Sequence, residues 1–194
     1  PVLRLLINTT MAARNNLRKI YVYAHWEDLQ EPVMMGELRA ELVRGKEIFS
    51  FSYNNEWLKT NFSQILDPHL FLSSGAQYTS DERQNFGIFL DSSPDRWGRT
   101  LMKRREAALA RSEERPEVTL RESDYLLGVF DSHRMGALRF KEDPEGPFMN
   151  NNKEYSSPPW TSLKELEQVS LRLEEEDAFD DPRYIKWLTM LVNP

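Results

Sequence analysis

A chain of 194 residues, 40% hydrophobic and 11% aromatic, can bury a core as one medium domain or as two small ones. Its 25 basic and 31 acidic residues leave a net charge of −6, which argues against a protein devoted to DNA or RNA, since such domains are basic overall. It has no cysteine, which excludes disulfides and thiolate catalysis, and no apolar run approaches the ~20 residues that span a bilayer.

The opening PVLRLLINTT lacks the long apolar core and basic flank of a signal peptide, and Met11 is a candidate initiator. Residues 1–18 therefore read as an N-terminal extension, and the chain as a cytoplasmic protein. KIYVYAHW (19–26) is short, β-branched and aromatic, as strands are. MMGELRAELV follows, with a turn expected at Gly36 and apolar alternation through Leu38 and Leu42. In KEIFSFSY, Phe49, Phe51 and Tyr53 alternate with Ser50 and Ser52, the period of a half-buried strand. Together these make a small antiparallel β unit.

Helical spacing comes next. Ser80 is the expected cap of SDERQNFGIFL, with Phe86, Phe89 and Leu90 on one side. In SPDRWGRTLMKRREAALAR (93–111), Ser93 is the expected cap, Pro94 the first helical residue and Asp95 a favourable charge at the dipole's positive end. Trp97, Leu101 and Ala108 then form the expected inner stripe. Thr119 and Glu122 have capping-box spacing before LRESDYLLG, which Gly128 would stop. MGALRF (135–140) reads as a strand, and KEDPEGPFMNNNKEYSSPP as a turn-rich loop. Ser162 and Glu165 open a helix with Leu163, Leu166, Val169 and Leu173 inward. Asp181 and Pro182 open a last one, burying Tyr184, Trp187, Leu188 and Leu191.

Catalytic equipment is sparse. His25, His69 and His133 are far apart and match no metal-ligand spacing, and neither GxxxxGK[ST] nor GxGxxG occurs. The acidic residues Glu174 to Asp177, Asp180 and Asp181 read as solvated helix ends. The basic residues are more pointed. Arg96, Arg99 and Lys103 share a helical face, with Arg104 and Arg105 beside them. That face is either solvated surface opposite Trp97 and Leu101 or a contact for phosphate or an acidic partner.

IYVYAHW with Gly36-Glu37-Leu38, FSFSYNNEWL, FGIFLDS continued by SPDRWGRTLMKRR, and SDYLLGVFDSHRMGALRF resemble, in order, the N-terminal part of the HipA family. Those proteins are bacterial serine/threonine kinases, each the toxin of a toxin–antitoxin pair. The likeness covers about residues 19–140 and departs at Ser93, where many members have leucine before the Pro-Asp pair. It implies an α+β fold: an antiparallel β/helix subdomain over 19–115, then over 116–194 the start of a protein-kinase-like N-lobe. By the same match Met135, Gly136 and Ala137 would roof the adenine of ATP. The ATP-binding lysine, the catalytic aspartate and asparagine and the metal-binding aspartate of the family have no counterpart in these 194 residues. A phosphoryl-transfer enzyme needs metal ligands and a residue that positions the nucleophile, so this segment alone is expected to be inactive and to hold no cofactor tightly. ATP and Mg2+ belong to the full-length protein. The implied partner is a HipB-like helix-turn-helix antitoxin, through which DNA is reached indirectly, and no membrane is involved. The competing reading is a stand-alone, non-catalytic interaction or antitoxin-like module that docks on a separate kinase chain.

Overall fold

A computed structural model describes residues 16–60, 63–80, 82–131, 134, 136–149 and positions 168, 171, 172, 184, 185, 187 and 188. Mixed α+β architecture is what it shows. The strands are β1 (Leu17–Ala24), β2 (Val33–Val43), β3 (Lys46–Tyr53), β4 (Ala76–Tyr78) and β5 (Leu138–Lys141). They form one antiparallel sheet in the order β4-β3-β2-β1-β5. The strand expected to open a second unit therefore completes the sheet of the first, with Val22 opposite Phe140.

Alternation fixes which face is buried. Ile20, Val22, Ala24, Leu38, Ala40, Phe49, Phe51, Tyr53, Leu138 and Phe140 point to the core. Lys19, Arg39 and Tyr78 stand on the opposite face and are exposed. Four helices are described: α1 (Asn55–Leu58), α2 (Gly87–Asp91), α3 (Arg96–Ser112) and α4 (Glu122–Gly128). Trp57, Phe86, Phe89, Leu126 and Leu127, from α1, α2 with its cap, and α4, join the core cluster. Phe89 packs against both Phe51 and Phe140, with ring centroids 5.4 and 6.3 Å away.

Several local expectations are corrected. Gly36 makes no turn. It lies inside β2, where a Cβ would stand 2.4 Å from the Ser52 carbonyl oxygen and 2.6 Å from the Phe51 ring. Next to it Met35 is an extra residue opposite β1, a bulge that shifts the register between Val22 and Tyr23. The chain reverses instead at Arg44-Gly45, both with positive φ, as a two-residue hairpin loop requires. Ser80 begins no helix; α2 is a short turn of helix entered at Phe86, with Phe86 and Phe89 buried as their spacing predicts.

The cap of α3 is Asp95, not Ser93: its carboxylate accepts from the Gly98 N–H at 2.8 Å, while the Ser93 hydroxyl turns back to donate to the Phe89 carbonyl. Asp124, not Glu122, completes the box on α4, accepting from the Arg121 N–H at 2.8 Å. Gly128 is the last residue of α4 and serves packing: a Cβ there would meet the Met102 methyl of α3 at 2.0 Å. Trp97 is 46% exposed, against the expectation that it is buried, and the inner face of α3 runs through Gly98, Leu101, Met102 and Ala110. Leu101, Met102 and Tyr125 form a second cluster with Tyr184 and Leu188, with Trp187 half-buried beside them. Leu163, Leu166, Val169, Leu173 and Leu191 lie outside the described residues, as do His133 and Met135.

Candidate functional site

The sheet and α2 leave a half-open cavity of about 430 Å³, walled by four segments far apart in sequence. Trp26, just past β1, supplies an aromatic wall and is held edge-on against the buried Trp57, 5.6 Å between centroids. Ile88, Asp91 and Ser92 come from α2 and its end. Gly136, Ala137 and Leu138 form the approach to β5. Leu66 adds an aliphatic side chain, and Gln64 and Asp91, both exposed, bring the polar groups to the rim.

Hydrogen bonds hold each wall in place. The His25 N–H donates to the Ala137 carbonyl at 2.8 Å and ties the end of β1 to the strand opposite. Asp67, buried, accepts from the Ile88 N–H at 3.1 Å and the His69 N–H at 2.8 Å, so it fixes the start of α2 from a distance. Gly136 takes φ +84°, a left-handed conformation that directs the chain from the cavity wall into β5.

The clasp between walls is Arg134. Its buried guanidinium donates to the carbonyls of Ser92 (2.8 Å), Leu126 (2.6 Å) and Val129 (3.0 Å) and lies 4.6 Å over the Phe140 ring. Burial pushes its pKa down to about 10, against the opposing pull of Asp131, so it remains a cation at neutral pH. Asp131 in turn is buried and pairs with Arg139. One arginine thus joins the end of α2, the end of α4 and the approach to β5.

Apolar walls and an indole suit a flat or apolar group, and the rim offers acceptors from Asp91 and Gln64. Among the described residues that line it there is no cation to receive a triphosphate. Among the described residues no cluster of His, Asp and Glu could hold a metal ion. His25 and His69 are both exposed, at the end of β1 and in the loop before β4 respectively.

Of the residues singled out in sequence, Gly136 and Ala137 stand in the cavity wall, and Met135 is outside the described residues. The basic group on α3 does not form one face. Arg99 turns away from Arg96 and Lys103 to make a two-pronged pair with Glu122 of α4, at 2.6 and 2.8 Å, and lies 4.7 Å over the Tyr125 ring. That hydrogen bonding raises its pKa. Arg105 is half-buried on the far side of the helix, and desolvation lowers its pKa. Arg96 and Lys103 are exposed, and Arg104 is half-buried. Trp26, Asp91, Ser92 and Arg134 had no periodicity to mark them. All four lie within the segments that carry the family likeness. No family model, curated protein or solved structure matches the chain.

Proposed function

We propose that this chain is the N-terminal portion of a HipA-like serine/threonine kinase, the toxin of a toxin–antitoxin pair. One observation carries the reading. Three of the separated segments that resemble the family converge on one cavity: Trp26 from the first, Ile88, Asp91 and Ser92 from the third, Gly136 and Ala137 from the last.

In this reading Gly136 and Ala137 present backbone and a small side chain to a purine, Trp26 and Ile88 supply apolar surface, and Asp91 or Gln64 accepts from the exocyclic amine. The cavity is large enough for a base; among the described residues its lining offers nothing cationic to a triphosphate, which calls for residues elsewhere in the protein. The complete protein, with Mg2+, would transfer the γ-phosphate of ATP to a serine or threonine of a cytoplasmic protein and would be neutralised by a HipB-like helix-turn-helix antitoxin. Among the described residues no helix is long and apolar enough to cross a membrane.

A second reading, a non-catalytic module docking on a separate kinase chain, is favoured by exposed Trp97 on a helix face free of carboxylates. Expression of the reading frame continued past Pro194, beside the 194-residue chain, separates the two. The kinase reading expects labelled phosphate transfer from ATP by the extended protein alone. A stop codon at that point, or an extended protein that transfers nothing, overturns it.

A further inference from the structure

The outer face of α3 is unlike the rest of the surface. Arg96, Trp97, Thr100, Lys103 and Arg104 follow one another along it at helical spacing, and none of its residues is acidic. The helix has one carboxylate, Glu106, which is turned aside to Arg115 (2.6 and 3.1 Å) and to the Val118 N–H (2.9 Å). Arg99 pairs with Glu122 and so faces α4. Among the described residues the side chains of Arg96, Lys103 and Arg104 take part in no ion pair or hydrogen bond. Beside them stands a tryptophan with nearly half its surface in water.

An exposed indole flanked by unpaired cations is the composition of an interface centre, where Trp and Arg supply most of the binding energy and charged rim groups set orientation. The chain elsewhere is acidic, with a net charge of −6. An acidic partner is therefore repelled by the net charge and attracted by this local cluster, so the field favours docking here. A nucleic-acid duplex is the poorer fit. This face offers three cations, Arg96, Lys103 and Arg104, whereas tight backbone binding neutralises on the order of 6–10 phosphates.

We propose that this face of α3 docks an acidic segment of another protein that carries an apolar anchor, with Trp97 receiving the anchor and Arg96, Lys103 and Arg104 its carboxylates. The inference stands whether or not the chain belongs to a kinase. The probe is a fluorescein-labelled peptide of glutamate and aspartate with one central phenylalanine, titrated with the 194-residue chain and followed by anisotropy. Replacing the phenylalanine by alanine, or Trp97→Ala in the protein, should each weaken binding about tenfold or more. Arg96→Glu with Lys103→Glu should do the same, with the circular dichroism spectrum unchanged, because these side chains are exposed. Four results would overturn the proposal. The wild-type chain could fail to bind the peptide, or bind it no better than the protein variants do. It could prefer an oligonucleotide of equal charge. Sedimentation could show Trp97-dependent pairing of two copies in place of peptide binding.

Discussion

Replacing Arg134 by methionine keeps an aliphatic stem but removes the donor of three hydrogen bonds to the carbonyls of Ser92, Leu126 and Val129. These carbonyls do not suffer alike. Ser92 borders the half-open cavity, where water can replace the guanidinium. Leu126 and Val129 are buried, so their oxygens would be left dry. An unsatisfied buried acceptor costs about 1–3 kcal/mol, and two of them, offset by relief of the guanidinium's own desolvation, give a loss of about 2–4 kcal/mol. That is a large share of the roughly 5–15 kcal/mol that holds a domain folded. Arg134→Lys should recover less than half of it, because an ammonium cannot fork to three acceptors. Urea melts read the effect as a fall in midpoint at constant slope. A loss below about 1 kcal/mol for Arg134→Met, or full rescue by lysine, would refute the clasp.

Gly36→Ala should destabilise by about 1–3 kcal/mol in the same melts, since the new methyl meets the Ser52 carbonyl at 2.4 Å between strands that cannot part; a neutral result would mean the bulge at Met35 yields. Trp57→Ala should cost about 3–5 kcal/mol and Trp97→Ala under about 1, because the first is buried and the second is 46% exposed; equal losses would place α3 the other way round. Burial, with the nearby Asp67 charge, pushes the Tyr53 phenol up to about 12, which favours its neutral form in the fold. Its contribution is therefore complete below the unfolded value of about 10 and is lost as pH rises from there through 12. Chemical melts of wild type and Tyr53→Phe should diverge across that window, and parallel curves would contradict the shift.

The sheet was the legible part of the sequence, because a buried face leaves a two-residue alternation that Phe49, Phe51 and Tyr53 display plainly. Sheet closure was not: nothing local says that residues 138–141 pair with residues 21–24 rather than start a new layer. Helix phase failed on α3 for a physical reason. The expected stripe was anchored on its largest aromatic, whereas contact with α4 depends on slender Met102 against Gly128 and on the ion pair of Arg99 with Glu122. Caps slipped by two residues where several candidates compete, as Ser93 and Asp95 do; the carboxylate is the one that reaches the Gly98 N–H. The cavity was half legible. Gly136 and Ala137 came through family likeness, while Arg134, a buried cation in a loop, follows no pattern that spacing can detect.

The most direct measurement is phosphate transfer by the chain extended past Pro194, compared with the same protein carrying Ala137→Phe, which fills the cavity from its wall. If three separated segments meet there to hold the base of ATP, the unaltered protein labels a serine or threonine. The variant should then lose at least about tenfold in kcat/KM for ATP while melting within ~1 kcal/mol of the parent. Transfer that is absent from the parent, or undiminished in the variant, would contradict the reading.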